Sequence, residues 1–476
     1  MNLKQLQPSD VFTYFEALTQ IPRESGQEQE VSDYLVAFAK GQGLEVVQEP
    51  CLNVIIKKPA SPGYESAPTV ILQGHMDMVC VKEDDLDFDF KTMPLPITID
   101  GDWVATIGTT LGADNGIAVA MAMALLADKE AKHPALEVLI TVEEETGMDG
   151  AMKLNPDNLS GQILINIDSD NEGVATVSCA GGGRYVMELP LAFEDAPDLQ
   201  AFQVVVSGLK GGHSGVEIGV GRANANKLMG RILYELTKNG ARLANVFGGE
   251  KDNAISKRGE AIVFASENLP EQLANLETRL QSEFSVTDPN IKLTATKIQG
   301  PEQVFTPETQ EKIVSILQLV PFGPQSMSAS IDGLVVSSNN PGVLVQEAHK
   351  LVLTNAVRSS VGSLKRALYQ QLEVIANLTG AATKIQSDYP EWEYAPQSRI
   401  RDLMVATYEE LTGEGLKVEA IHAGLECGFL GERLGAIDMV SIGPNMRDIH
   451  TPKERLSISS TANTYKFIKA TLERLK

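Results

Sequence analysis

Three apolar runs constrain this chain more than any other feature: VILQG at 70–74, ALEVLITV at 135–142 and QILINI at 162–167. Each reads as a buried strand, and helical stretches such as NGIAVAMAMALLAD lie between them. Strands alternating with helices predict an α/β fold with a mainly parallel sheet. In an open sheet of that kind, ligands gather beyond the carboxyl ends of the strands. The residues found there carry chemistry. His75 and Asp77 follow the first run, Glu143, Glu144 and Glu145 the second, and Asp168 the third. Asp114 in TTLGADNG and His450 in IGPNMRDIHTP bring imidazole and carboxylate to two more loops.

A length of 476 residues is too great for one core, so two domains are expected. The first helical region spans 9–42, with Ser9 or Asp10 as its N-cap. From about residue 186 the pattern shifts to alternating strands (FQVVVSGL, AIVFAS, IKLTATKI, LVVSS, VLVQEAH, KLVLTNAVRS) mixed with amphipathic helices such as ANKLMGRILYEL. A Pro- and aromatic-bearing link, SDYPEWEYAPQS, leads back to a helix and DMVSIGP. Because His450 lies in this returning segment, the catalytic domain is expected to be discontinuous. It would comprise 1–185 and 386–476, with an α+β domain at 186–385 inserted between them.

Charge narrows the function. Forty basic residues against 63 acidic ones give a net −23, which repels nucleic acid and anionic membrane surfaces. Cys51, Cys80, Cys179 and Cys427 show no CxxC spacing and fit unpaired thiols in a reducing compartment. The opening MNLKQLQPSDVFTYF lacks the basic start and apolar core of a signal peptide. The expectation is a soluble cytoplasmic protein with no membrane partner and no nucleic acid.

Taken singly, the candidate residues are ambiguous. His75 with Asp77 two residues on places both on one side of an extended segment, where Asp77 can accept the second imidazole N–H. A core histidine beside a surface Asp is the commoner meaning of HxD. Asp114 at a helix start can be an N-cap, or a carboxylate bridging two cations about 3.5–4 Å apart. Crowded carboxylates at 143–145 suit a solvated loop, or a dication that pairs with one of them. In that second case Glu144 is inferred as general base and Glu145 as metal ligand. DSDNEG from Asp168 fails as an EF-hand loop, since its twelfth position is Cys179 and it follows a strand. KEDDLDFDF at 82–90 reads as a solvated acidic loop.

Together, GHMDMV, GTTLGADNGI, EEETGMDGA, LINIDSD, CAGG, GLKGGHSG, HAGLECG and the late GP…H resemble the M20 metallopeptidases, in particular the Xaa-His dipeptidase branch. The likeness runs nearly end to end. It implies a di-zinc dipeptidase acting on short free-ended peptides such as β-alanyl-histidine, in which Co2+ or Mn2+ can substitute. It also implies that His75, Asp114 and Asp168 hold one zinc and Asp114, Glu145 and His450 the other. Asp77 would orient His75, Glu144 would be the base, and the peptide bond after Asp114 would be cis. The inserted segment would be a lid and dimerisation domain of a homodimer. Its His213 would help stabilise the oxyanion, and Arg358 would clamp the substrate carboxylate. Asn253 is a further candidate for substrate contact, and Glu426 for the substrate α-ammonium. His422 reads as structural. Rival expectations are an N-acyl amino acid deacylase or tripeptidase of the same superfamily, and a non-catalytic binding protein that kept the fold.

Overall fold

A computed structural model describes residues 3–476. The chain divides into two compact units. The first contains the residues up to Ser178, Tyr394–Ala420 and Leu425–Lys476, and the second Cys179–Glu393 and Ile421–Gly424. The sequence reading drew its boundaries at 185/186 and 385/386.

In the first unit an eight-stranded sheet forms the centre. Four neighbouring strands, Leu136–Thr141, Val70–His75, Ile163–Asn166 and Asp438–Ser441, run parallel. The flanks are antiparallel, with Val54–Lys58 against Leu136–Thr141 on one side and Val174–Cys179 against Asp438–Ser441 on the other. The mainly parallel sheet expected from the apolar runs is therefore the four-stranded centre. Every residue of the first two of these strands is buried, which explains why they read as unbroken apolar runs and not as alternating ones. The Ala-rich helix Ala113–Ala127 packs on Val70–His75 and on the helix Ser9–Leu18, and it is buried almost all round.

The single helical region expected over 9–42 is two helices, Ser9–Leu18 and Gln29–Gly41. Pro22, which has no N–H to give, and Gly26 at φ 82° lie in the loop between them. Ser9 is the first residue of the helix and makes no cap; Pro8 precedes it. The loop is not a mere connection, since Arg23 and Ser25 on it reach the functional site.

The second unit has a nine-stranded antiparallel sheet with helices Ala225–Lys238, Leu269–Glu283, Pro307–Leu319 and Gly362–Thr379. LVVSS and VLVQEAH, read as separate strands, are one strand, Val335–Glu347. A register shift between Pro341 and Val343 accommodates the proline within it. No helix among the described residues is long and apolar enough to cross a membrane.

Candidate metal centre

The parallel strands deliver their loops to one place. His75 is the last residue of Val70–His75 and is 1% exposed. Its Nε2 lies 3.2 Å from Asp114 Oδ1 and 3.5 Å from Asp168 Oδ1, while Nδ1 lies 3.2 Å from Asp77 Oδ1. Asp77 is fully buried and is itself fixed. It accepts from the Ser25 hydroxyl at 2.8 Å and from the Glu144 and Glu145 amides at 3.2 Å each. One carboxylate therefore holds the imidazole and the acidic loop together.

Asp114 is presented by a loop that closes on Gly112 at φ 64°, a left-handed conformation that favours glycine. An added Cβ there would also meet the Arg23 guanidinium. Asp114 and Asn115 depart from helical geometry at the head of Ala113–Ala127, and the Asp114–Asn115 peptide is cis. Asn115 accepts from the His75 amide at 3.2 Å and donates to the Ile167 carbonyl at 2.6 Å, tying this loop to two strand ends.

His450 stands in the turn between the short paired strands Met446–Arg447 and Arg455–Ser457, with φ at 61°. Its Nε2 is 2.9 Å from Glu145 Oε1 and 3.3 Å from Asp114 Oδ2. Three overlapping groups result: His75, Asp114 and Asp168; His75, Glu144 and Glu145; and Asp114, Glu145 and His450, with the ligand atoms of each group within 4.8 Å of one another.

The protonation energetics are those of crowded carboxylates out of water. Burial pushes Asp168 up to about 6, and Asp114 and Glu145 beside it add to the rise. Burial also holds Glu144 well above the usual carboxylate range. Hydrogen bonds donated to Asp114 and Glu145 raise His450 to about 10. For His75, burial pulls downward, but Asp168, Asp114 and Asp77 outweigh it and the imidazole titrates well above its ordinary value. Burial disfavours the Asp114 anion as well, yet His450 and His75 hold its carboxyl below its ordinary range. Among the described residues no lysine or arginine forms an ion pair with Asp114, Glu144, Glu145 or Asp168; their ion-pair partners are the imidazoles of His75 and His450, and the Arg23 charge acts on Asp114 from further off. The donor set is imidazole nitrogen and carboxylate oxygen, which suits zinc-type divalent ions.

Two residues that sequence reasoning passed over carry the scaffold. Glu454, 2% exposed, accepts from four consecutive amides: Leu111 at 2.8 Å, Gly112 at 3.0 Å, Ala113 at 2.8 Å and Asp114 at 3.3 Å. Arg23, equally buried, donates to the carbonyls of Met76 at 3.0 Å, Asp77 at 3.2 Å and Gly112. The available hints were a Glu four residues after His450 and a charged residue beside Pro22. Neither hint names a partner.

Glu426, read as a receptor for a substrate ammonium, has no exposed surface. Its Oε2 accepts from Gln73 at 2.6 Å and Thr141 at 2.8 Å, its Oε1 has no hydrogen-bond partner, and burial raises it to about 7.

In the second unit, Gly212–His213 pairs with Ala254–Ile255, and the Ser214 amide donates to the Asn253 carbonyl at 2.8 Å. His213 is exposed, and its Nδ1 accepts from the amides of Gly215 at 3.2 Å and Val216 at 3.3 Å. Burial and then Arg358 lower its pKa, so the neutral ring carries its proton on Nε2. His422 is buried, with Nε2 2.7 Å from the Ser338 hydroxyl, and burial drives it down to about 3.

The chain as a whole is similar to known peptidases. Residues 71–474 match the model of peptidase family M20/M25/M40. The cytosol non-specific dipeptidase of Escherichia coli (strain K12) is 35% identical over 479 residues, covering 99% of each chain. The aminoacylhistidine dipeptidase from Vibrio alginolyticus superposes with a TM-score of 0.96 at 36% identity, over 99% of this chain and 98% of that one. The aminopeptidase PepT from Bacillus cereus shares the fold at a TM-score of 0.58 and 15% identity, over 99% of both chains. These likenesses run the full length of the chain, which belongs to peptidase family M20/M25/M40.

Proposed function

We propose that this M20 peptidase is a di-metal dipeptidase that cleaves short free-ended peptides, with preference for Xaa-His dipeptides such as β-alanyl-histidine. The observation that carries the reading is the convergence of His75, Asp114, Asp168, Glu145 and His450, with Asp114 belonging to two of the clusters. The names of the relatives support dipeptide cleavage, one as non-specific and one as aminoacylhistidine-directed. His75, Asp114 and Asp168 would hold one zinc, and Asp114, Glu145 and His450 the other; Co2+ or Mn2+ would also suit these N/O donors. When bound, the ions supply Lewis acidity to the scissile carbonyl and to a water molecule.

The side chains do the rest. Asp77 keeps His75 Nδ1 protonated and leaves Nε2 for the metal side. Glu144 takes a proton from the attacking water and returns it to the departing amine. His213 offers its Nε2–H to the developing oxyanion. Arg358 receives the substrate's terminal carboxylate through its planar donor pair. Asn253 is the remaining polar contact assigned to substrate. Glu426 joins the site only where its buried Oε1 becomes uncovered to a substrate ammonium. A homodimer formed through the second unit and a cytoplasmic location complete the proposal.

The test is hydrolysis of β-alanyl-histidine, other dipeptides and N-acyl amino acids by chelator-treated enzyme, with and without zinc. Zinc-restored cleavage favouring C-terminal histidine is the expected result. Zinc-dependent cleavage of acylated substrates alone would move the function to deacylation. Folded protein inactive with every metal would overturn the enzymatic reading.

A further inference from the structure

The three glycines of CAGGG have no part in the proposed chemistry, yet they lie beside Arg358. Gly181–Pro190 is a strand flanked by Lys350–Ser359 on one side and Ala382–Tyr389 on the other. Gly182 is opposite Arg358 on the first neighbour and opposite Tyr389 on the second. Directly paired residues in antiparallel strands point to the same face. Tyr389, Gly182 and Arg358 therefore form a row across three strands, with the middle side chain missing. Strands are about 4.8 Å apart, so a side chain at the centre would separate the outer two. A Cβ built on Gly182 would lie 2.7 Å from the Tyr389 hydroxyl and 2.6 Å from the Val357 carbonyl. The phenol fills that space, and Arg358 Nη1 donates to its hydroxyl at 2.9 Å.

The row depends on an irregularity. Pairing runs Gln386 to Arg184 and then Tyr389 to Gly182, so three steps on one strand match two on the other. Ser387 within this bulge has φ 50°. Without the extra residue Asp388 would face Gly182. Bulges of this kind re-aim a side chain. Lys365, 6% exposed, secures the re-aimed end by donating to the Tyr389 carbonyl at 2.8 Å and pairing with Glu391 at 2.9 Å.

Arg358 itself makes no ion pair with a carboxylate of the described residues, and its Nε has no hydrogen-bond partner. Its charge acts on Tyr389, which burial raises, and on His213 and His422, which burial lowers. A positive charge held by the Tyr389 hydroxyl, with no internal counter-ion, is arranged for an anion from outside the chain.

We propose that Tyr389, seated in the slot left by Gly182, is a positioning residue that aims the Arg358 guanidinium at the terminal carboxylate of a peptide substrate. This rests on the carboxylate role given to Arg358 above. Tyr389 acts through Arg358 and sets how strongly free-acid peptides are preferred over capped ones.

The readout is the ratio of kcat/KM for a dipeptide to kcat/KM for its C-terminal amide, using full-length zinc-loaded enzyme. Tyr389→Phe removes one oxygen and should lower that ratio about tenfold, chiefly through KM for the free acid. Arg358→Gln should abolish the preference, and Gly182→Ala should reproduce the Tyr389→Phe effect. If Arg358→Gln abolishes the preference while Tyr389→Phe leaves it at the wild-type value, the positioning role is overturned and the Arg358 assignment stands. A preference that survives Arg358→Gln overturns the carboxylate assignment, and the positioning role with it.

Discussion

The two histidines of the candidate centre are held in opposite ways. His75 ends a strand buried on both faces, is 1% exposed, and has Asp77 behind it and Asn115 on its amide. His450 sits in a turn at positive φ with its side chain 46% exposed, and its recorded side-chain partners are the carboxylates of Asp114 and Glu145. One half of the site is built into the sheet; the other is brought up to it by a loop. The difference teaches that the His75 side is preorganised, whereas the His450 side depends on what binds there. Asp114, shared by both sides, has its backbone amide held by Glu454 from the base of the His450 hairpin.

Breaking the shared element should have the largest effect. Asp114→Ala is expected to lose both ions and reduce peptide cleavage to background; full metal content measured by atomic emission would remove the bridging assignment. Glu144→Gln lies on neither side of the comparison. It should keep both ions and lower kcat by about 10²–10⁴-fold, as loss of a general base does. Wild-type turnover in that variant would transfer the base role elsewhere. Glu454→Ala leaves four buried amides without their acceptor and should cost about 3–5 kcal/mol of stability. A denaturant midpoint equal to wild type would show that the loop holds itself. The smallest effect is expected from Asp77→Asn, which should weaken metal affinity about 10–100-fold on the His75 side and less on the other, where Asp77 holds only the Glu145 amide. Equal weakening of both ions in a calorimetric titration would erase the distinction between the halves.

The stations themselves were legible because each follows a signal that chemistry imposes locally. Apolar runs marked the strands, and His75, Glu145 and Asp168 stand at or just past strand ends where the sheet must release its chain. The scaffold was not legible in the same way. Glu454 meets the 111–114 amides across 340 to 343 residues of chain, and nothing periodic in TPKERL foretells it. Arg23 was hidden because the run 9–42 keeps helical spacing through a break that Pro22 and Gly26 impose. Glu426 was read from its motif as facing substrate, but Gln73 and Thr141 on neighbouring strands draw it into the interior. Such buried polar pairings are set by the fold and not by local sequence, so a single chain gives their members without their partners. The Pro341 strand shows the converse: a residue that ordinarily ends a strand is accommodated by a bulge that only the neighbouring strand reveals.

The central claim is that one cluster of side chains holds two ions and uses them together. The most direct test is zinc titration of the chelator-treated chain with hydrolysis of β-alanyl-histidine followed at each step. The account predicts two ions bound per chain, the tighter on the His75 side, with activity completed as the second site fills and both sites lost in Asp114→Ala. Saturation at a single ion with full activity, or cleavage unaffected by chelation, would contradict it.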